Sequence, residues 1–366
     1  EGDMSATGYR IGLVGATGQV GKEFLKILEE GPRRDLPIAD LRLFASERSA
    51  GKVIHALGED RVVHLATPDP DSFDGLDLIL TAIGDDLAKE FGPAIAQSGA
   101  VNVDKSNAWR MHPDVPVVVP EVNPEAAAGH HGIIAGPNCS TTQMVVALWP
   151  LHQTNPIRRV IVDTYQAVSG TGWRAVDELR AQNHAIATGG ATEVQVYPHQ
   201  IAENLIAEIG GLRDGGAFSE ELKMIDETRK IMGAPSLAIQ ATCVRVPVMV
   251  SHSEAVHVEF THEMTPEDAR IILSAAPGIV VVDDPKAHRY PTPLDAAGQD
   301  PVYVGRIRRD PSHPRGLSMW VVADNVRKGA ALNAIQVFEL IARNQWFRGN
   351  RDGRAPFGDR TAVAAR

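Results

Sequence analysis

Tyr9-Arg10-Ile11-Gly12-Leu13-Val14 runs without a break into Gly15-Ala16-Thr17-Gly18-Gln19-Val20-Gly21, and the reading of this stretch decides the fold. The first six residues read as a short buried strand. The glycine-rich turn leads into a helix over Lys22 to Glu30, with Val20, Phe24, Ile27 and Leu28 on one apolar face. Strand, glycine turn and helix in that order form the context that a dinucleotide fingerprint requires. The spacing is G-x-x-G-x-x-G, a variant of the usual G-x-G-x-x-G. Glycines let the backbone approach a pyrophosphate, and the helix N-terminus binds it. A tight turn with no ligand has the same pattern, so it is the context that carries the reading. Gly15, Thr17, Gly18, Gln19 and Val20 are the cofactor contacts expected here.

Working outward, Leu41-Arg42-Leu43-Phe44 reads as a second strand, followed by the loop Ala45-Ser46-Glu47-Arg48-Ser49-Ala50-Gly51-Lys52. A lone acid at this place would select NAD through the ribose hydroxyls. Glu47 is such an acid, but Ser46, Arg48 and Ser49, with Lys52 nearby, suit the extra 2′-phosphate of NADP. Strands at Asp77 to Ile83, Ala100 to Val103 and Val115 to Val119, with a helix at Leu87 to Gln97, continue the alternation. That alternation predicts a parallel sheet with helices on both faces. Sites in such sheets lie outside the carboxyl ends of the strands, where Arg110 is a candidate anion ligand; a surface ion pair is the equal alternative for it.

The chain has 366 residues, enough for two domains with sizeable cores. A formal net charge of −10, with no basic run, argues against nucleic-acid binding. Cys139 and Cys243 are the only cysteines, which excludes a disulfide framework and a thiolate zinc site. The apolar runs are too short to span a bilayer and no stretch reads as a leader, so a cytoplasmic protein is expected. Glu1-Gly2-Asp3, ahead of Met4, are set aside from the fold reading, and the Gly-, Arg- and Asp-rich tail 350–366 is expected to be disordered.

The second half is organised around Pro137-Asn138-Cys139-Ser140-Thr141-Thr142. A turn places Cys139 at the start of a helix over Gln143 to Leu151, with Ser140 or Thr141 as its cap and Met144, Val145, Leu148 and Trp149 on its apolar face. A helix N-terminus favours an anion and so a nucleophilic thiolate. A lone cysteine is also often a small buried hydrophobe, so its partners must decide. Strands at Arg158 to Val168, Ser236 to Val250, Glu254 to Phe260, Ile279 to Val282, Val302 to Ile307 and Leu317 to Val322 follow, with helices at Ala175 to Ala187, Ser219 to Ile231, from Thr265, and Ala330 to Arg343. Glu220 and Lys223 share a face of one helix, where a solvated i,i+3 ion pair is the default. Arg245 lies among strand residues and needs an anionic partner if buried. His252 could serve as a general base, although a lone histidine is more often structural. His257, Glu259, His262 and Glu263 have no convincing spacing for a metal.

Several stretches together resemble the aspartate-β-semialdehyde dehydrogenase family: GATGQVG, ASERSAGK, VVVPEVNP, AGPNCSTTQ, TYQAVSGTG, CVRVPV, SHSE, PTPLDAAGQDPVYVGRIR and DNVRKGAALNAIQ. They run from about residue 10 to about residue 345. The resemblance implies reduction of L-4-aspartyl phosphate to L-aspartate 4-semialdehyde with NADPH, on the route to lysine, methionine, threonine and diaminopimelate. It implies Cys139 as nucleophile and His252 as acid/base. Gln166 and Arg245 would hold substrate, and Glu220, Lys223 and Arg110 would position it and bind phosphate. Ser169, Gly170 and Asn325 would lie near the cofactor. The Cys139 backbone N–H, with Asn138 nearby, is the expected oxyanion donor.

The implied fold is α/β: a Rossmann-like NADP-binding domain over 8–137, completed by a returning helix over 325–345, and a mixed α/β catalytic and dimerisation domain over 138–324. A homodimer or homotetramer is implied. The chain departs from the family at Thr81-Ala82-Ile83-Gly84, where a small-residue, glycine-rich turn is usual, at Lys105-Ser106-Asn107, and at Ser251, where glycine often precedes the histidine. N-acetyl-γ-glutamyl-phosphate reductase, with the same chemistry on a longer acylated substrate, is the nearest alternative; a non-catalytic dinucleotide-binding regulator is the alternative of another class.

Overall fold

The computed structural model describes residues 8–30 and 37–347. Glu1-Gly2-Asp3 and the tail from Asn350 lie outside them. The chain forms two units, one from residues up to Pro137 and from Ala330 onward, the other from Asn138 to Gly329.

The first unit holds strands β1 (Tyr9–Val14), β2 (Ile38–Ala45), β3 (Val53–Ala56), β4 (Glu59–Leu65), β5 (Leu78–Thr81), β6 (Val101–Asp104) and β7 (Ile133–Ala135) in one sheet of order β3-β4-β2-β1-β5-β6-β7. All pairings are parallel except β3 with β4. The chain leaves β1 for β2 on one side and reaches β5 on the other. The ends of β1 and β5 therefore form the switch point where such sheets bind ligands. Helices α1 (Gln19–Glu29), α2 (Asp85–Ser98) and the closing helix α8 (Leu332–Asn344) complete the unit. Phe24 of α1 meets Phe338 of α8 edge-on at 5.9 Å, within a core that also takes Ile11, Leu13, Leu43 and Ile335. Asn333 ties α8 to the backbone of Val118 at 3.0 Å.

Three sequence expectations change here. Helix α1 begins at Gln19, because the glycine turn itself supplies its N-cap, Gly18. Val115 to Val119 is not a strand; Val117 alone bridges to Ala135. Pro116 inside this run and Pro120 after it have no N–H groups to give to a ladder, and the Asn123 side chain bonds both Val117 and Val119 instead. Strands β3, β4 and β7 escaped the sequence reading. β3 has four residues, β4 is polar and mostly exposed, and β7 has three residues.

The second unit carries β8 (Ile157–Gln166), β9 (Ala238–Arg245), β10 (His252–Phe260), β11 (Ile279–Val281), β12 (Val302–Arg309) and β13 (Gly316–Ala323), in the order β11-β12-β13-β10-β8-β9. β8 with β9 and β11 with β12 are parallel; the other pairings are antiparallel. Helices α3 (Cys139–Thr154), α5 (Ser219–Ile231) and α6 (Pro266–Ala275) pack on the sheet. Helix α4 (Trp173–Ala187) follows β8, and a short α7 (Pro293–Ala296) lies in the proline-rich connection. Thr265 and Asp268 form a capping box at the start of α6. In-register neighbours on parallel strands point to one face, so Gln166 and Arg245, paired at the ends of β8 and β9, project together.

Asn325 to Gly329, expected to travel with the returning helix, group with the second unit. The Asp324 carboxylate accepts the N–H groups of Val326 and Arg327, and Arg327 bonds Asp300 at 2.7 Å. A single π turn, Arg327–Ala331, precedes α8.

Candidate active site

Helix α3 starts at Cys139, four residues earlier than the apolar pattern predicts, and its cap is Asn138 rather than Ser140 or Thr141. The Asn138 Oδ1 accepts from the N–H groups of Ser140 and Thr141 at 3.0 and 3.2 Å. The helix is not amphipathic: every residue from Ser140 to Leu148 is buried. A periodicity search finds no single face on such a helix. Asn138 is fixed further by donation from its N–H to Glu227 at 2.7 Å and from its Nδ2 to Glu220 at 2.8 Å. Held at both ends of its carboxamide, Asn138 sets the position of Cys139; one of its two Nδ2 N–H bonds goes to Glu220.

The Cys139 sulfur lies 3.3 Å from Nε2 of His252, the first residue of β10. The ring is fully buried, and its Nδ1 accepts the N–H of Ala167 at 3.0 Å. That bond leaves the proton of the neutral ring on Nε2, facing the sulfur. Burial, and then the charge of Arg245, hold the imidazole well below the usual histidine range. Two glycines make room around the pair. A Cβ on Gly329 would fall 2.7 Å from the Cys139 Cβ, and one on Gly170 would fall 3.1 Å from His252 Nε2 and 2.8 Å from Arg245 Nη1.

Around the thiol the second unit gathers Gln166, Glu220, Lys223 and Arg245. Arg245 is buried, and its Nη1 donates to the Ala167 carbonyl at 2.8 Å. The Glu220–Lys223 pair is not the solvated ion pair that its spacing suggests. Glu220 is 5 % exposed, pairs with Lys223 at 3.3 Å, and accepts from Gln166 at 3.3 Å as well as from Asn138. Burial works to raise its carboxyl, but Lys223, Asn138, Arg245 and Gln166 together outweigh burial and hold it below the usual range. The result is a buried carboxylate beside two cations, Lys223 and Arg245.

Ser169, Gly170 and Asn325 also fall in this unit. The Asn325 Oδ1 takes the Ser169 hydroxyl and the Ser251 N–H, each at 3.0 Å. Ser251 has φ +79°, a left-handed conformation natural to glycine; this accounts for the glycine usual at that place.

In the first unit, Gly15 has φ +95°, and a Cβ there would sit 2.4 Å from the Ala82 carbonyl oxygen at the end of β5. A Cβ on Gly21 would sit 2.4 Å from the Gly15 carbonyl. The turn is thus held against the switch point by close backbone approach, and the first turn of α1 carries no acidic side chain. This cradle fits an anionic pyrophosphate. Thr17 bonds the buried Ser49 at 3.4 Å, while Ser46 and Arg48 are exposed at the end of β2. Arg110 is buried, donating to the carbonyls of Gly136 and Lys105 at 2.9 Å each. Those bonds brace the turn that leads into Pro137, a structural duty in addition to the anion role expected of it. His257 bonds Ser318, and Glu259 pairs with Arg159. Among the described residues no cluster of His, Cys, Asp and Glu is arranged for a metal, and no helix is long and apolar enough to cross a membrane.

Sequence reasoning missed Glu227, Gly329, Gln143, Glu254 and Tyr197. Gln143, one helical turn after Cys139, donates to the His252 carbonyl at 3.3 Å, and Glu254 is fully buried two residues along β10. The i+4 and i+2 spacings from Cys139 and His252 were the available signal.

A dinucleotide-binding sheet and a mixed-sheet unit with a thiol–imidazole pair define a semialdehyde dehydrogenase. Residues 10–130 match the family model of the semialdehyde dehydrogenase NAD binding domain, and residues 148–328 that of the dimerisation domain. The chain belongs to the aspartate-semialdehyde dehydrogenase family. It is 50% identical to the aspartate-semialdehyde dehydrogenase of Aquifex aeolicus over 92% of this chain and 98% of that one. Its structure is similar to aspartate semialdehyde dehydrogenase II of Vibrio cholerae complexed with ASA, with a TM-score of 0.88, 41% identity, and 93% and 99% of the two chains covered. It is also similar to the Candida albicans enzyme with NADP, with a TM-score of 0.72, 27% identity, and 93% and 99% covered.

Proposed function

We propose that the chain reduces L-4-aspartyl phosphate to L-aspartate 4-semialdehyde with NADPH, through a thioester on Cys139. The observation that carries this reading is the 3.3 Å approach of the buried His252 Nε2 to the Cys139 sulfur at a helix N-terminus. A thiolate there attacks the acyl carbon; the C–S bond forms and phosphate leaves with the electrons of the C–O bond. The dinucleotide, when bound, supplies the hydride that reduces the acyl carbon. His252 acts through its Nε2–H, which stabilises the oxyanion and then the sulfur as the C–S bond breaks and the aldehyde departs, the acid half of the acid/base role proposed for it. The Cys139 backbone N–H, with Asn138 beside it, is the other donor proposed for the oxyanion.

Arg245 offers a fork to the substrate carboxylate, and Gln166 orients it. Lys223 and Arg110 are the cations proposed for the phosphate. Glu220 supplies an anion for a free ammonium group, which favours an aspartyl over an N-acetylated glutamyl substrate. In the first unit Gly15, Thr17, Gly18, Gln19 and Val20 would cradle the pyrophosphate, and Ser46, Arg48 and Ser49 the 2′-phosphate of NADP. Ser169, Gly170 and Asn325 are the cofactor contacts proposed in the second unit. The likeness to the Candida albicans enzyme, whose crystal structure is with NADP, supports that choice.

The same reading makes the chain a cytoplasmic enzyme of lysine, methionine, threonine and diaminopimelate synthesis. It would act as a homodimer or homotetramer. The dimerisation-domain match and the exposed Tyr165, whose ring centroid lies 5.4 Å from that of Trp320, support self-association. A spectrophotometric assay with aspartate semialdehyde and N-acetylglutamate semialdehyde tests the substrate. Turnover of the aspartyl compound alone, lost in Cys139→Ala with NADP binding retained, is expected; preference for the acetylated compound would refute it.

A further inference from the structure

The mechanism leaves one aromatic side chain beside Arg245 unexplained. The segment between α4 and α5 has no regular structure, yet it is fastened to α4 by two buried side chains. Glu178 accepts the N–H groups of Gln195 and Val196, and Gln182 accepts those of Ile201 and Ala202 while donating to the Glu193 carbonyl. A small apolar cluster of Val168, Leu179, Ile201 and Ile206 backs it. The N–H and carbonyl of Ile206 then pair with the backbone of Arg245 itself. So fastened, the segment places the Tyr197 ring 6.0 Å from the Arg245 guanidinium carbon. The phenol is anchored in turn, donating to Thr171 Oγ1 at 3.0 Å, on the turn that carries Ser169 and Gly170. Burial first pushes the Tyr197 phenol up, so it stays a neutral donor.

Arg245 has little else to fix its plane. Its Nη1 has the Ala167 carbonyl, but its Nε is buried with no hydrogen-bond partner. A guanidinium reads a carboxylate through two parallel bonds only if its plane is set in advance. An aromatic face sets that plane without competing for the donors, and the attraction strengthens where water is excluded.

We propose that Tyr197 is a specificity-determining positioning residue: its ring orients Arg245 to take the α-carboxylate of the substrate. This rests on the assignment of Arg245 to that carboxylate.

The test compares Tyr197→Phe, which keeps the ring, with Tyr197→Met, which fills the space without a π face. Each is assayed with aspartate semialdehyde and with 3-aminopropanal, which lacks the carboxylate. For the methionine variant we expect KM for aspartate semialdehyde to rise about tenfold, with kcat, KM for NADP and the 3-aminopropanal rate within about twofold of the parent. The phenylalanine variant should stay near the parent. An unchanged KM in the methionine variant, an equal loss with both aldehydes, or an equal loss in both variants would overturn the inference. Tyr197→Leu serves the same comparison if the methionine chain does not fold. Arg245→Lys separates the two claims. If it leaves KM unchanged, the assignment of Arg245 fails and the inference with it; if it raises KM while Tyr197→Met does not, only the inference fails.

Discussion

The Cys139 sulfur and His252 Nε2 lie 3.3 Å apart although 113 residues separate them in sequence. The contact joins the first residue of a buried helix to the first residue of a central strand, and the Ala167 N–H fixes the ring from behind. A neutral imidazole is built into this arrangement, because the Nδ1 that protonation would use already accepts a bond.

That geometry has a signature in pH. The folded pKa of His252 is lowered by burial and by Arg245. The ring is therefore neutral at and above the ordinary value of about 6.5, and the acid limb of kcat/KM attributed to it should lie below that pH. Stability linked to this group is complete above the unfolded pKa and falls as pH drops through the folded one, since the unfolded chain then binds the extra proton. A His252→Asn variant should lose that acid-side slope in thermal unfolding. A parent whose activity titrates at or above pH 6.5 through this histidine would contradict the account.

Gly329 tests how tightly the nucleophile is held. An added methyl would meet Cys139 at 2.7 Å from Cβ and 3.1 Å from Cα, and backbone gives way less readily than a side-chain tip. Gly329→Ala should lower kcat by about 100-fold, the scale of an ångström-sized misplacement, and slow alkylation of Cys139 by iodoacetamide. Full kcat in that variant would show that the contact is dispensable.

Glu254 is fully buried, neither carboxyl oxygen has a hydrogen-bond partner among the described residues, and burial raises its carboxyl well above the usual value. Burial thus favours the neutral acid in the folded chain. Stability linked to it is complete below the unfolded pKa of about 4.5 and is lost as pH rises through the folded value, at about 1.4 kcal/mol per pH unit between them. Glu254→Gln, which cannot ionise, should gain on the parent in denaturant unfolding as pH goes from 5 to 8. A constant difference across that range would mean that Glu254 is charged.

Arg48 is exposed at the end of β2, and its proposed role is to meet the 2′-phosphate of NADP. Arg48→Glu should raise KM for NADP by at least about tenfold, the cost of losing one charge-assisted contact, and leave KM for NAD nearly unchanged. Equal losses with both cofactors would remove the 2′-phosphate role.

Much of this was legible in the sequence because periodicity and glycine turns report local structure. Tyr9 to Gly21 placed the dinucleotide cradle, and Ser219 to Ile231 coincides with α5. The misses have physical causes. Val115 to Val119 has strand composition, but Pro116 within it and Pro120 after it have no N–H to give to a ladder. Helix α3 is buried on all sides, so its apolar residues show neither its start nor its cap. Glu220 and Lys223 look like a surface pair until Asn138 and Gln166, 82 and 54 residues away from Glu220, close over them. No spacing rule carries a contact of that range, nor the approach of Gly329 to Cys139 or of Tyr197 to Arg245.

The central claim is that the acyl group is carried on Cys139 and leaves to phosphate. Oxidation of L-aspartate 4-semialdehyde with NADP, followed at the reduced-nicotinamide absorbance with and without inorganic phosphate, tests it most directly. The account predicts continuous turnover with phosphate and, without it, a burst no larger than the enzyme concentration, absent in Cys139→Ala. Continuous turnover without an acyl acceptor, or a burst that survives in the alanine variant, would contradict it.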